Sequence, residues 1–154
     1  MRDAVVIIDR VAPFNPVKLL DRSGWTIDEQ DERSLVLNQV DITSIRLGHM
    51  LKKNEIRING EENLRRLKKA GHIRLDAKVF QTLWEDKSLI PESWKKGTKG
   101  KITYIYFDGT VLRGPDGHRD VLGLWWYLGS WCWICYSFWR GRSGNSPSAV
   151  LELD

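Results

Sequence analysis

The sequence predicts a segregated α+β fold in which two helices precede a C-terminal antiparallel β-meander, and three observations carry the prediction. Two central stretches repeat apolar residues at helical spacing between recognisable caps. The last third alternates strand-like runs with Gly-containing turns. The 154 residues suit one domain, because roughly 100–200 residues per domain is usual. Hydrophobic residues at 42% and charged residues at 29% argue against intrinsic disorder and for a packed core.

Taken in order, residues 4–8 are apolar and mostly β-branched and read as a strand, after which Pro13 and Pro16 interrupt regular structure ahead of Val17-Lys18-Leu19-Leu20. Ser23–Arg33 reads as a polar loop. Ser34–Leu37 and Ile42–Met50 carry apolar residues at mixed spacing that selects neither helix nor strand. The clearest helix is Glu61–Ala70: Leu64 and Leu67 share a face, Glu61 and Glu62 fill the first turn, Lys68 and Lys69 the last, and Gly71 stops it. Ala77–Asp86 is the second, with Phe80, Leu83 and Trp84 at i, i+3, i+4, Asp76 as N-cap and Pro91 beyond its end. Ile102–Phe107 then reads as a strand, Asp108-Gly109 as a turn and Gly114-Pro115-Asp116-Gly117 as another. Arg119–Tyr127 and Trp131–Trp139 complete the meander around Leu128-Gly129-Ser130.

The net charge of +4 is small and its members are mixed in sign along the first 120 residues, which disfavours nucleic acid as the partner. The N-terminal apolar run is too short for a secretory signal. Val121–Trp139 is uncharged but interrupted by Gly123, Gly129, Ser130 and Ser137, so it reads as strands and not as a membrane span. Cys132 and Cys135 are the only cysteines and stand too close together to staple a fold. A reducing, cytoplasmic compartment is the default expectation.

Most of the information lies in the segment Trp125–Trp139, where eight of fifteen residues are aromatic and none is charged. A strand alternates its side chains, so Trp131 and Trp133 take one face and Cys132 and Ile134 the other. Either both faces are buried, or one is an adhesive surface rich in Tyr and Trp. Gly123–Ser146 also contains no Lys, Glu, Gln, Met or Asp, although the first four of these supply 24 of the other 130 residues. Burial accounts for that in a strand. It does not account for it in Arg140-Gly141-Arg142-Ser143-Gly144-Asn145-Ser146, a polar loop where long flexible side chains are physically welcome.

A set of motifs then points to a family. Leu89-Ile90-Pro91-Glu92-Ser93-Trp94-Lys95, Tyr106-Phe107-Asp108-Gly109-Thr110-Val111-Leu112-Arg113, Trp126, Trp131-Cys132-Trp133 and Pro147-Ser148-Ala149-Val150-Leu151 resemble small proteins of uncultivated bacteria and archaea that are similar to the variable proteins of diversity-generating retroelements. The resemblance runs from about Gly60 onward, with weaker similarity back to Gly24-Trp25. It implies a C-type lectin-like domain over residues 1–154 whose C-terminal codons are rewritten at adenines. Such codons become many residue types but not Lys, Glu, Gln, Met or Trp. By that logic residues 123–146 are the variable region of a ligand-binding display protein. Trp126, Trp131 and Trp133 are its fixed scaffold. The rewritten ligand-binding positions are Tyr127, Ser130, Cys132, Ile134, Cys135, Tyr136, Ser137, Phe138, Arg140, Arg142, Ser143 and Asn145. The implied partner is a macromolecule, a protein before a nucleic acid, with no cofactor.

Rival constellations are weaker. Cys132-Trp133-Ile134-Cys135 has C-x-x-C spacing, but no second pair accompanies it, His49, His72 and His118 are scattered, and a strand sends the two thiols to opposite faces. Asp108, Asp116 and Asp120 around two turns suggest calcium, yet Asp-Gly pairs are commonly turn chemistry and no sugar-lectin signature is present. Glu61–Asp86 has the outline of a helix-turn-helix with Arg65, Arg66, Lys68 and Lys69 toward phosphates, but the second helix ends in Glu85-Asp86, which would repel them. No Ser, His and acid grouping or phosphate-cradling loop stands out, so the expectation is a binding protein and not an enzyme. The alternative reading is a nucleic-acid-binding module that uses Arg140, Arg142 and stacked aromatics.

Overall fold

The computed structural model describes residues 4–95 and 101–153. It is a mixed α/β structure built on a seven-stranded sheet. In chain order the elements are β1 (Val5–Ile7), α1 (Pro16–Leu20), β2 (Thr26–Gln30), α2 (Glu32–Leu35), β3 (Gln39–Asp41), β4 (Ile45–Gly48), α3 (Gly60–Ala70), β5 (Ile73–Arg74), α4 (Ala77–Glu85), β6 (Ile105–Arg113), β7 (Arg119–Tyr127), β8 (Ser130–Ser137) and β9 (Ser148–Leu151).

The two long helices form where their caps place them. Asn59 accepts from the Glu62 backbone N–H at 2.8 Å to open α3, and Gly71 closes it at φ 82°. Asp76 accepts from Lys78 N–H at 3.0 Å to open α4. The four described helices correct the expectation of two. Asn15 caps α1 by accepting from Val17 N–H, with Pro16 in its first turn, and Asp31 caps α2 by accepting from Arg33 N–H. Both helices are too short to show a full hydrophobic period, which is why the sequence pattern hid them.

Three further expectations are corrected. The supposed loop Ser23–Arg33 contains β2, an edge strand paired antiparallel to β6. It is polar because its side chains meet cations from other elements: Asp28 pairs with Arg113 at 3.0 Å and Arg119 at 2.9 Å, and Glu29 with Lys68 at 2.8 Å. Asp108-Gly109 is not a turn but the middle of β6. There Asp108 is fully buried against Arg142, and a Cβ on Gly109 would lie 2.2 Å from the Arg74 carbonyl oxygen, so only glycine lets β5 cross this closely. The last predicted strand stops at Ser137, and Phe138–Arg140 is a 3-10 turn.

The strands are also not confined to the end of the chain. The main sheet runs β4-β9-β6-β7-β8, with β2 on the second half of β6 and β5 on β9, and all pairs are antiparallel except β6 with β9. Ile42–Met50, ambiguous by pattern, is a 3-10 turn (Ile42–Ser44) followed by β4. β1 and β3 make a separate two-stranded ribbon.

Two hydrophobic clusters fill the two faces of the sheet. The larger takes Phe80 and Leu83 of α4 with Ile105, Phe107, Leu122, Leu124 and Trp131. The smaller takes Leu64 of α3 with Tyr106, Val111, Val121 and Phe138. No described helix is long and apolar enough to cross a membrane.

Candidate functional site: the open face of the β7–β8 ribbon

Strand alternation and register divide the aromatic ribbon into two surfaces. The pairs Trp126↔Trp131, Leu124↔Trp133 and Leu122↔Cys135 fall on one face, and Tyr127↔Ser130, Trp125↔Cys132, Gly123↔Ile134 and Val121↔Tyr136 on the other. The first face packs on the larger cluster, with Trp131 buried. Trp126, Trp133 and Cys135 pack on the main cluster, and the Phe80 ring of α4 stands edge-on to Trp133 with centroids 6.5 Å apart.

The second face carries the smaller cluster at its lower end, with Tyr104, Ile134 and Tyr136 packed against it. Phe138 and Leu64 close over Val121, and this contact needs Gly60 at the start of α3, where a Cβ would lie 2.5 Å from the Phe138 ring. Gly123 has the same use: a Cβ there would lie 2.8 Å from the Tyr106 ring, which occupies that space. Beyond these, Tyr104, Trp125, Cys132, Ile134 and Tyr136 are half-buried, and Tyr127 is 45% exposed. The rings form a ladder, Tyr104 to Trp125 at 5.3 Å and Trp125 to Tyr127 at 5.1 Å, while Tyr136 rests on Tyr106 at 5.1 Å. Lone exposed apolar residues are ordinary, but here half-buried rings run without a break to the exposed Tyr127 and Leu128, and a continuous apolar strip marks an interaction surface.

The rim of this strip is cationic. The Tyr136 hydroxyl donates to the Gly141 carbonyl at 3.0 Å, which ties the ribbon to the loop after it. Arg57 donates from Nε at 3.1 Å and Nη2 at 2.6 Å to the Arg140 carbonyl, and from Nη2 to the Tyr136 hydroxyl at 3.4 Å. Arg140 itself is exposed, its guanidinium 5.8 Å from the Trp139 ring.

The predicted positions therefore separate. Tyr127, Ser130, Cys132, Ile134, Tyr136 and Arg140 come together on the open face or its rim. Ser143 and Asn145 are half-buried beside it and are held by local bonds, the Ser143 hydroxyl to the Asn145 side chain and Asn145 Nδ2 to the Ile102 carbonyl at 3.1 Å. Four positions are corrected. Cys135 and Ser137 point to the covered side because they share the parity of Trp131 and Trp133. Phe138 is 2% exposed because it plugs the gap between α3 and β7. Arg142 is 1% exposed, ion-paired with Asp108, stacked 4.1 Å over Tyr106 and bonded through its backbone N–H to Ile58 at 2.6 Å. It holds the loop from within and offers no contact surface.

Asp120 lies at the end of the covered face. Burial raises its carboxyl above the usual range, and the Cys135 thiol, itself pushed up by burial, donates to it at 3.6 Å. Asp108, Asp116 and Asp120 are not a cluster, since Asp108 is consumed by Arg142 and Asp116 accepts from His118 N–H in its turn. Three of the four cations of α3 are likewise engaged: Arg65 meets Glu62, Arg66 meets Glu55 and Lys68 meets Glu29, while Lys69 is exposed.

Sequence reasoning missed four residues of this surface: Tyr104, Trp125, Leu128 and Arg57. Trp125 was legible, for it shares parity with Tyr127. Leu128 forms a two-residue turn with Gly129, at φ 49° and 82°, and stands 85% exposed at the tip of the ribbon. Arg57 and Tyr104 arrive through tertiary pairing and carry no local signal. Comparison of the chain with models of protein families, with curated proteins and with solved structures finds no match.

Proposed function

We propose that this chain is a retroelement-diversified binding protein of C-type lectin-like fold, acting in a reducing compartment through binding and not catalysis. Its contact surface is the open face of the β7–β8 ribbon with the Arg140 rim. The observation that carries the reading is the way strand parity divides one ribbon between the larger cluster and a face that opens to water at its tip. Trp126, Trp131 and Trp133, which adenine rewriting cannot produce, pack on the larger cluster, whereas Cys132, Ile134 and Tyr136 are half-buried on the other face beside Trp125, a fixed position there, and run out to the exposed Tyr127. Substitution on the outward set leaves most of the core intact, which is what a surface that differs from copy to copy requires. The sheet supports it, because β9 returns to lie between β4 and β6 and ties the C-terminus into the middle of the fold.

The decisive test is genomic. A near-copy of the codons for residues 123–146, differing at adenines and lying beside a reverse-transcriptase gene, is expected, together with sibling chains that differ at the outward positions and keep Trp126, Trp131 and Trp133. Siblings whose differences fall equally on both faces would overturn the reading.

A further inference from the structure

The arginines beside the open face differ from most others in the molecule. Arg10, Arg66, Arg113, Arg119 and Arg142 all meet carboxylates. Arg57 and Arg140 meet none among the described residues, and no Asp or Glu occurs between Gly123 and Ser146. Arg57 commits Nε and Nη2 to the Arg140 carbonyl, a bond that fixes its guanidinium beside Tyr136 and leaves Nη1 with no partner among the described residues. Two uncompensated cations therefore sit at the edge of an apolar strip, the arrangement that selects an anionic partner by charge complementarity.

The rings favour a protein over a nucleic acid. Base stacking needs a free ring face. Here Trp125 already contacts two rings, Tyr104 at 5.3 Å and Tyr127 at 5.1 Å with tilts of 35° and 30°, so part of its ring face is taken up within the ladder. Ring edges carry the positive end of the aromatic quadrupole and suit carboxylates and aliphatic groups. Leu128 adds a second, independent sign. A leucine in the left-handed region is strained by about 1–2 kcal/mol relative to the Asn or Gly that such turns prefer. Its side chain is 85% exposed, so burial offsets little of that strain. Strain retained at an exposed apolar tip is accounted for if the tip is buried by a partner.

Resting on the binding role given above, we infer that the open face takes an acidic protein segment, with carboxylates at Arg57 and Arg140, apolar side chains along the Tyr104-Trp125-Tyr127 ladder, and Leu128 covered as the anchor.

The experiment is selection of a random dodecapeptide display library on the intact chain at physiological salt, followed by affinity measurements of the enriched peptides on variants. Enrichment of Asp and Glu alongside apolar residues is expected. Affinity should fall by about tenfold or more in the R57Q/R140Q double variant, one charge-assisted contact being worth about that factor. It should also fall several-fold in Leu128→Asn while that variant melts no lower than the parent, a separation a purely structural role would not produce. Peptides that lose binding with Tyr127→Asp but show no acidic excess, or ignore the arginine changes, overturn this inference and leave the binding face standing. Peptides indifferent to Tyr127→Asp, or no enrichment at all, overturn both. Tighter, arginine-dependent binding of oligo(dT) than of any peptide assigns the cations to phosphate and overturns the acidic-segment inference.

Discussion

Arg140 and Arg142 leave the same short loop in opposite directions, and solvation separates their energetics. Arg142 is enclosed, and its charge is balanced by Asp108, which also accepts from the Ser148 hydroxyl. Removing one member of a buried pair strands the other charge. Arg142→Ala should therefore cost about 3–5 kcal/mol in denaturant unfolding, whereas Arg140→Ala should stay within about 0.5 kcal/mol. Asp120 tests the converse case. Its Oδ1 has no partner among the described residues and burial raises its pKa, so folding favours the neutral acid more than the unfolded chain does and the ionised form is a liability above the unfolded value. Asp120→Asn is expected to raise the melting temperature at pH 7, with the gain shrinking toward pH 4. A gain that is independent of pH would refute that account.

At the scale of elements, the β7–β8 ribbon couples a rigid side to a permissive one. Trp133 reaches the Phe80 ring, and Trp133→Ala should cost about 3–5 kcal/mol through lost burial and the cavity left behind. The combined Ala variant of Tyr127, Ile134, Tyr136 and Arg140 should cost only about 2 kcal/mol, since two of the four side chains are half-covered and two are exposed. Thermal or denaturant melts of both would decide it, and equal severe losses would reject the division of faces. The 3-10 turn after β8 closes the covered end of the open face, so Gly60→Ala, which drives a methyl into Phe138, should loosen the Arg140 rim as well as the fold.

Over the whole molecule, the N-terminal segment is joined to α4 by a polar network as well as by Val6, Ile8 and Phe14, which share the larger hydrophobic cluster with Phe80 and Leu83. Arg10 donates to Asp76 at 2.9 Å and to the carbonyls of Leu37 and Ser34, and Asp76 also accepts from Ser34. Asp31 joins Arg33 at 3.0 Å and accepts from the Arg74 backbone at 2.9 Å. Burial works against ionisation at both carboxyls, but the bonds from Arg10 and Ser34 at Asp76, and from Arg33 and Arg74 at Asp31, outweigh it and hold both below the usual range. A carboxyl with a depressed folded pKa contributes stability that is present above the unfolded value, about 3.9, and is lost as pH falls below it through the folded value. Stability should therefore be flat near neutrality and drop below about pH 4. Asp76→Asn should lower stability by roughly 3 kcal/mol at pH 7 and flatten the acid limb of a denaturant-against-pH curve.

Sequence by itself determined the parts governed by local periodicity. Asn59 to Gly71 and Asp76 to Glu85 carry their own caps, and the alternation from Arg119 to Tyr127 fixes which aromatic residues share a face before any partner is known. Tertiary structure alone decided which of those faces is covered, because α4 and α3 settle on the sheet through contacts distant in the chain. It also turned Asp108-Gly109 from a turn into the middle of a strand, since Arg142 neutralises the one and the Arg74 backbone crosses the other. The same cause placed Arg142 inside and Arg140 outside, for a buried charge survives only where a distant residue answers it.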